Sequence, residues 1–223
     1  MTWYAERAWL GAGAGAGLAD GVLITTEGDR ITGVKTGVPA GAIGAAAAGT
    51  TAVTRLPGLV IPGLVNAHSH AFHRALRGRT HAGRGDFWSW REQMYAVAAR
   101  LDPDSYRELA RATYAEMVLA GITTVVEFHY LHHAPGGARY ADPHAMSSAL
   151  VAGAAEAGIR LVLLDTCYLQ SDVDGTPLSG PQLRFTDGSV DAWAERAADG
   201  PAHGAAIHSV RGCPPPAMAA VAR

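Results

Sequence analysis

Between Asp102 and His208 the chain runs three times through one order of signals: a helix-forming stretch, a glycine, and a short apolar run. In the first pass Asp102 is the expected N-cap and Pro103 the first helical residue. Tyr106, Leu109, Ala110, Thr113, Met117 and Ala120 make the apolar stripe, and Gly121 is the stop. The strand Ile122 to Phe128 follows at once. In the second pass Asp142-Pro143 opens a helix, Gly158 closes it, and Ile159 to Leu164 is the strand. The third has a helix from Val190 to Ala198, Gly200, and a short strand from Ala205 to His208. Ahead of all three, Leu59 to Val65 is an unbroken apolar run, expected as one strand buried on both faces. Helices alternating with such strands predict a parallel α/β sheet. A closed (β/α)8 barrel takes roughly 250 residues, more than this 223-residue chain has in all. The expected fold over 59–223 is therefore an incomplete TIM-type barrel of about four strands, followed by Pro214-Pro215-Pro216 and the start of a helix. An open doubly wound sheet is the alternative, but no glycine-rich phosphate loop follows its first strand.

Residues 1–58 read differently. Thr2 to Leu10 alternates and is aromatic. Gly21 to Thr26 and Arg30 to Thr36 flank Glu27-Gly28-Asp29, a hairpin turn. A small β-domain, a partial β-sandwich, is expected. Gly11 to Gly17 and Ala45 to Ala48 read as low-complexity loops without chemistry. With 18 basic and 20 acidic residues, the net charge of −2 gives no electrostatic reason to expect nucleic acid or an anionic membrane as partner. No apolar run is long enough to span a bilayer, and the N-terminus lacks the layout of a signal peptide. Cys167 and Cys213 lie far apart and form no CxxC pair, so no disulfide is expected and a cytoplasmic location is the simpler expectation.

Ten histidines is the unusual count. His68-Ser69-His70 follows the first apolar run, and residues two apart in an extended chain point to one side. At the C-terminal end of a barrel strand, where such barrels carry their sites, the pair is placed to hold one divalent metal. The stretch Pro57-Gly58-Leu59-Val60-Ile61-Pro62-Gly63-Leu64-Val65-Asn66-Ala67 before it resembles the first barrel strand of the amidohydrolase superfamily. Within that superfamily, His68 to Leu76, Phe87-Trp88-Ser89-Trp90-Arg91-Glu92-Gln93-Met94-Tyr95, Glu127-Phe128-His129-Tyr130-Leu131-His132-His133 and His208-Ser209-Val210-Arg211 are similar to the formimidoylglutamate deiminase family, in order and over most of the chain.

The resemblance implies a metal-dependent hydrolase of amidine carbon–nitrogen bonds in histidine degradation. Its metal is a divalent ion, Zn2+, with His68 and His70 as ligands. Its partner is a small dicarboxylate, N-formimidoyl-L-glutamate, met by His73, Arg91, Tyr130, His208 and Arg211. Arginine grips carboxylate through a planar fork, so two arginines suit a dicarboxylate. On residue chemistry alone, Arg91 also fits a solvated helix face, Arg211 a loop ion pair, and Tyr130 a core aromatic. His73 stands where many of these proteins carry Gln. His129, His132 and His133 are expected in structural or supporting roles. The further metal ligands and the acid/base group that the resemblance implies match nothing before Arg223. No catalytic residue is therefore assigned in this chain, which is expected to be truncated and inactive alone, with a homodimer expected at full length. Another deaminase or chlorohydrolase of the superfamily and a non-catalytic truncated product are the alternatives.

Overall fold

The computed structural model describes residues 1–12, 17–43, 52–80 and 85–223. Ala45 to Ala48 and the middle of the Gly11 to Gly17 stretch lie outside the described residues. The chain divides into two compact units, Met1–Gly63 and Leu64–Arg223.

The first unit is one mixed sheet in the order β3-β2-β1-β4, with β1 Thr2–Trp9, β2 Leu18–Glu27, β3 Arg30–Lys35 and β4 Val53–Val60. β1 and β2 are antiparallel, as are β2 and β3, while β4 runs parallel to β1. The expected hairpin forms with Glu27 opposite Arg30. Its turn needs the left-handed backbone that Gly28 supplies at φ +59°. Ala5, Ala8 and Val22 are its buried apolar centre. Its described residues supply a single layer of the expected partial sandwich.

One expectation is corrected at this boundary. Leu59 to Val65 is not one strand buried on both faces. Leu59 and Val60 finish β4, paired to Arg7 and Ala8 of β1. Pro62, which has no N–H to give a ladder, lies in the break. A new strand, β5, starts at Leu64. Leu59, Leu64 and Val65 are all more than half exposed.

The second unit is a parallel sheet in the order β5-β6-β7-β8, with β5 Leu64–Ser69, β6 Ile122–His129, β7 Arg160–Cys167 and β8 Gly204–Ile207. The helices are α1 Phe87–Ala98, α2 Pro103–Leu119, α3 Ala145–Ala157, α4 Val190–Ala198 and α5 Pro215–Val221, with short 3-10 turns at Ala71–Leu76 and Gly180–Phe185. This is the expected incomplete TIM-type barrel. Asp86 and Asp102 close capping boxes with Ser89 and Ser105, which satisfies the first free N–H groups of α1 and α2. Gly158 ends α3 in the left-handed conformation at φ +74°. α3 begins later than Asp142-Pro143 suggests. The Asp142 carboxylate accepts the His144 N–H at 2.8 Å, and that local turn competes with helix for the first residues. The core of this unit joins Phe72, Tyr106, Tyr114, Leu150 and Leu163, each at most 1% exposed, and burial of Phe72, Leu150 and Leu163 contributes about 1.5–3 kcal/mol apiece. Cys167 and Cys213 are both buried thiols. The fold makes them neighbours, with the Cys213 Sγ–H donating to the Cys167 carbonyl at 3.0 Å. No helix among the described residues is long and apolar enough to cross a membrane.

Candidate functional site

Strand alternation assigns the side chains of β6 to two environments. Val125, Glu127 and His129 are fully buried, and His129 stacks on Tyr106 of α2. Phe128 instead meets the rings of His68, His70 and His208. The end of β5 brings His68 and His70 together, with their Nε2 atoms 3.0 Å apart. Zinc–imidazole bonds of about 2.0–2.1 Å in a tetrahedron put ligand nitrogens roughly 3.3 Å apart, so the pair needs little movement to face one ion. The Phe128 carbonyl can only accept, so His70 donates Nδ1–H to it at 3.0 Å. That leaves His70 Nε2 unprotonated, with a lone pair that can bind a metal or accept from the Nε2–H of His68. Burial, eased by the Phe128 carbonyl and reinforced by His68, brings the His70 imidazolium pKa down to about 4, so the ring is neutral near pH 7. Two donors fit part of a zinc shell. No group of three or more His, Cys, Asp or Glu side chains suited to a metal occurs among the described residues.

Beside the pair lies a cavity of about 170 Å³ lined by His70, His73, Arg91, Tyr130, His208 and Arg211. Thus every residue expected to meet substrate lies on one wall or another of a single cavity. His73 Nε2 and the Tyr130 hydroxyl share a hydrogen bond of 2.8 Å. Burial keeps His73 neutral, with its pKa lowered to about 3, and pushes Tyr130 well above the usual phenol range. His208 is neutral too, lowered to about 4 by burial and then by Arg211. The Arg91 guanidinium lies over Trp88 at 4.4 Å and Arg211 over Phe87 at 5.7 Å. Among the described residues neither arginine has a carboxylate partner. Arg211 is therefore not tied into a loop ion pair within them. Tyr130 is both a core aromatic, 4% exposed, and a cavity wall.

Sequence reasoning missed part of the lining. Tyr168 lies against His208 with ring centroids 3.7 Å apart and planes within 1°, and its hydroxyl accepts from Gln182 at 3.1 Å. A Cβ at Gly212 would come within 2.9 Å of both rings, so glycine lets the stack close. The available signal was position: Tyr168 directly follows β7, at the same strand end as the histidine pair. Phe185, on a loop between β7 and α4, carried no such signal.

His129, His132 and His133 are absent from the cavity lining. His132 Nε2–H donates to the Thr166 carbonyl at 3.0 Å, and His133 meets Asp187 at 3.0 Å. Arg196 bridges Asp187 and Asp165, and the Trp193 indole N–H donates to Asp165. The cluster joins α4 to the ends of β6 and β7.

A parallel half-barrel with a histidine pair at the end of its first strand, beside a cavity with two free guanidinium groups, has the layout of the barrel hydrolases. Residues 59–223 match the amidohydrolase family, and the chain belongs to that family. It is 42% identical to formimidoylglutamate deiminase of Pseudomonas aeruginosa over 178 residues, 75% of this chain and 39% of that protein. A shorter stretch of 79 residues is 35% identical to 8-oxoguanine deaminase of the same organism, over 35% of this chain and 17% of that protein. Among solved structures, an amidohydrolase from Brucella melitensis superposes with a TM-score of 0.82 at 31% identity, over 100% of this chain and 49% of the other. The chain thus spans half or less of the length of these relatives.

Proposed function

We propose that this chain provides the metal pair and the carboxylate clamp of a hydrolase that removes ammonia from N-formimidoyl-L-glutamate, leaving N-formyl-L-glutamate, in histidine degradation. The observation that carries the reading is that Arg91 and Arg211, from separate segments, line the cavity of His70 without a carboxylate partner among the described residues. Two such groups beside one small cavity favour a ligand with two carboxylates, each able to take a planar fork. The likeness to formimidoylglutamate deiminase supports the same choice. His73 and Tyr130, both neutral, offer hydrogen bonds to an amidine head, and so does His208, whose ring lies against Tyr130. His68 and His70 would hold a divalent metal, Zn2+, which when bound lowers the pKa of its water toward neutrality. Hydrolysis also needs a group that moves protons and further metal ligands. In this reading strands outside residues 1–223 supply them, and the chain alone binds but does not turn over.

Titration of the 223-residue chain with N-formimidoyl-L-glutamate by calorimetry, alongside an ammonia assay, tests this. Binding without ammonia release is expected, with glutarate competing. Arg91→Ala or Arg211→Ala should each cost about 2–5 kcal/mol of binding. Unchanged affinity in both variants would remove the clamp. The aromatic wall of Trp90, Tyr95, Tyr168 and Phe185 favours a second reading, a planar ring substrate. Binding of 8-oxoguanine in preference to the dicarboxylate would establish that one instead.

A further inference from the structure

The metal pair sits where the sheet is least regular. The β5–β6 ladder breaks between Asn66 and Ser69, and regular pairing resumes only with Ser69 opposite Glu127. His68 falls inside that gap, and the strand ends at Ser69. Something other than the ladder has to fix the direction of the two imidazoles. Two consecutive residues of β6 make contacts there. The Phe128 carbonyl takes the His70 ring N–H at 3.0 Å. The Glu127 side chain, fully buried, takes the backbone N–H of Ala71 at 2.6 Å, on the residue directly after His70. Ser69 and Tyr114 hydroxyls lie beside the same carboxyl. Glu127 is a costly group to bury, and it is not among the residues lining the cavity beside His70.

We propose that Glu127 is a positioning residue: clamped on the Ala71 N–H, it fixes the turn that aims His68 and His70 at one point. The inference rests on the reading of that pair as metal ligands.

The tie can be cut from either end. Glu127→Leu removes the acceptor and replaces a buried carboxyl with an apolar side chain of similar size. Ala71→Pro removes the donor. Ala71 is the first residue of its 3-10 turn, where proline is tolerated, and His70 before it is already extended. Glu127→Gln keeps a carbonyl oxygen for the Ala71 N–H. Zn2+ binding to the 223-residue chain is measured against a chromophoric chelator, with thermal unfolding of every variant and His70→Ala as control. Loss of such a supporting contact should weaken Zn2+ binding about 10–100-fold in Glu127→Leu and Ala71→Pro. Glu127→Gln should stay near the parent. The Tm of Glu127→Leu should change little, because relief of the buried carboxyl's desolvation offsets the Ala71 N–H left without its acceptor. A role in stability alone would instead lower Tm and leave affinity untouched. Parent-like Zn2+ affinity in both cut variants overturns the proposal, and if Glu127→Leu fails to fold, Ala71→Pro decides. Zn2+ bound as tightly by His70→Ala as by the parent overturns the metal reading itself and the proposal with it, and that control tells the two failures apart.

Discussion

At the scale of single residues, two buried carboxyls respond to burial in opposite ways. Glu127 has one N–H donor and no cation beside it, and burial raises its pKa to about 7 despite the Ala71 N–H. Asp187 is also buried, which alone would raise it, but hydrogen bonds from His133 and Arg196 outweigh that and lower it to about 2. Asp165 is lowered as well, where His132 and the same Arg196 outweigh its burial. The signs follow. A carboxyl of unfolded pKa about 3.9 that drops to about 2 on folding contributes stability above pH 4, and that contribution is lost as pH falls through 2. For Asp187 the full contribution is about 2–3 kcal/mol. Urea unfolding of Asp187→Asn from pH 6 down to pH 2 should therefore show a weaker loss of stability at the acid end than the parent shows. Equal slopes would mean that the Asp187 pair carries no net weight. None of this was legible in the sequence. Asp187 and Arg196 are ordinary surface-type residues there, and only the return of α4 against β7 makes them a buried pair.

At the scale of elements, start and stop signals were legible wherever backbone chemistry alone decides. Asp102-Pro103, Gly121 and Gly158 mark the ends of their helices within a residue or two, because capping and left-handed φ are local requirements. Apolarity was a poorer guide. It merged β4 and β5, although Pro62 was in plain view, since a run of Leu, Val and Ile does not say which sheet it joins. Helix contacts were not legible at all. Gly153 lies buried inside α3. In the fold it is the contact with α2, where a Cβ would lie 3.0 Å from the Arg107 carbonyl oxygen and the Arg111 nitrogen. Gly153→Val should push α3 off α2 and destabilise the chain by about 1–3 kcal/mol. A chemical-denaturation midpoint at or above that of the parent would show that the two helices can separate without cost.

At the scale of the whole molecule, β5 and β8 are both edges of a four-stranded parallel sheet, and parallel sheets are normally covered on both faces. Leu64 is 51% and Val65 63% exposed on one edge strand, and Leu119 at the end of α2 is 89% exposed. Open edges with apolar neighbours are templates for further pairing. The 223-residue chain is expected to self-associate in a concentration-dependent way, visible by light scattering or sedimentation velocity at micromolar concentration. A monomer that persists to high concentration would mean that these surfaces are covered. The incomplete barrel was legible from strand count against the length that closure needs. The histidine pair and the two arginines were legible because their motifs are contiguous. Of the remaining lining, Trp90, Met94 and Tyr95 come from α1, while Tyr168 after β7 and Phe185 in a 3-10 turn converge on it only in three dimensions.

The face-to-face stack of His208 on Tyr168 has one more consequence. Protons held above an aromatic face are shielded by its ring current, so the imidazole signals of His208 should stand upfield of the other histidines in a proton spectrum. A ligand that enters the cavity and slides the two rings apart would move those signals back, so occupancy could be read from one side chain without any turnover.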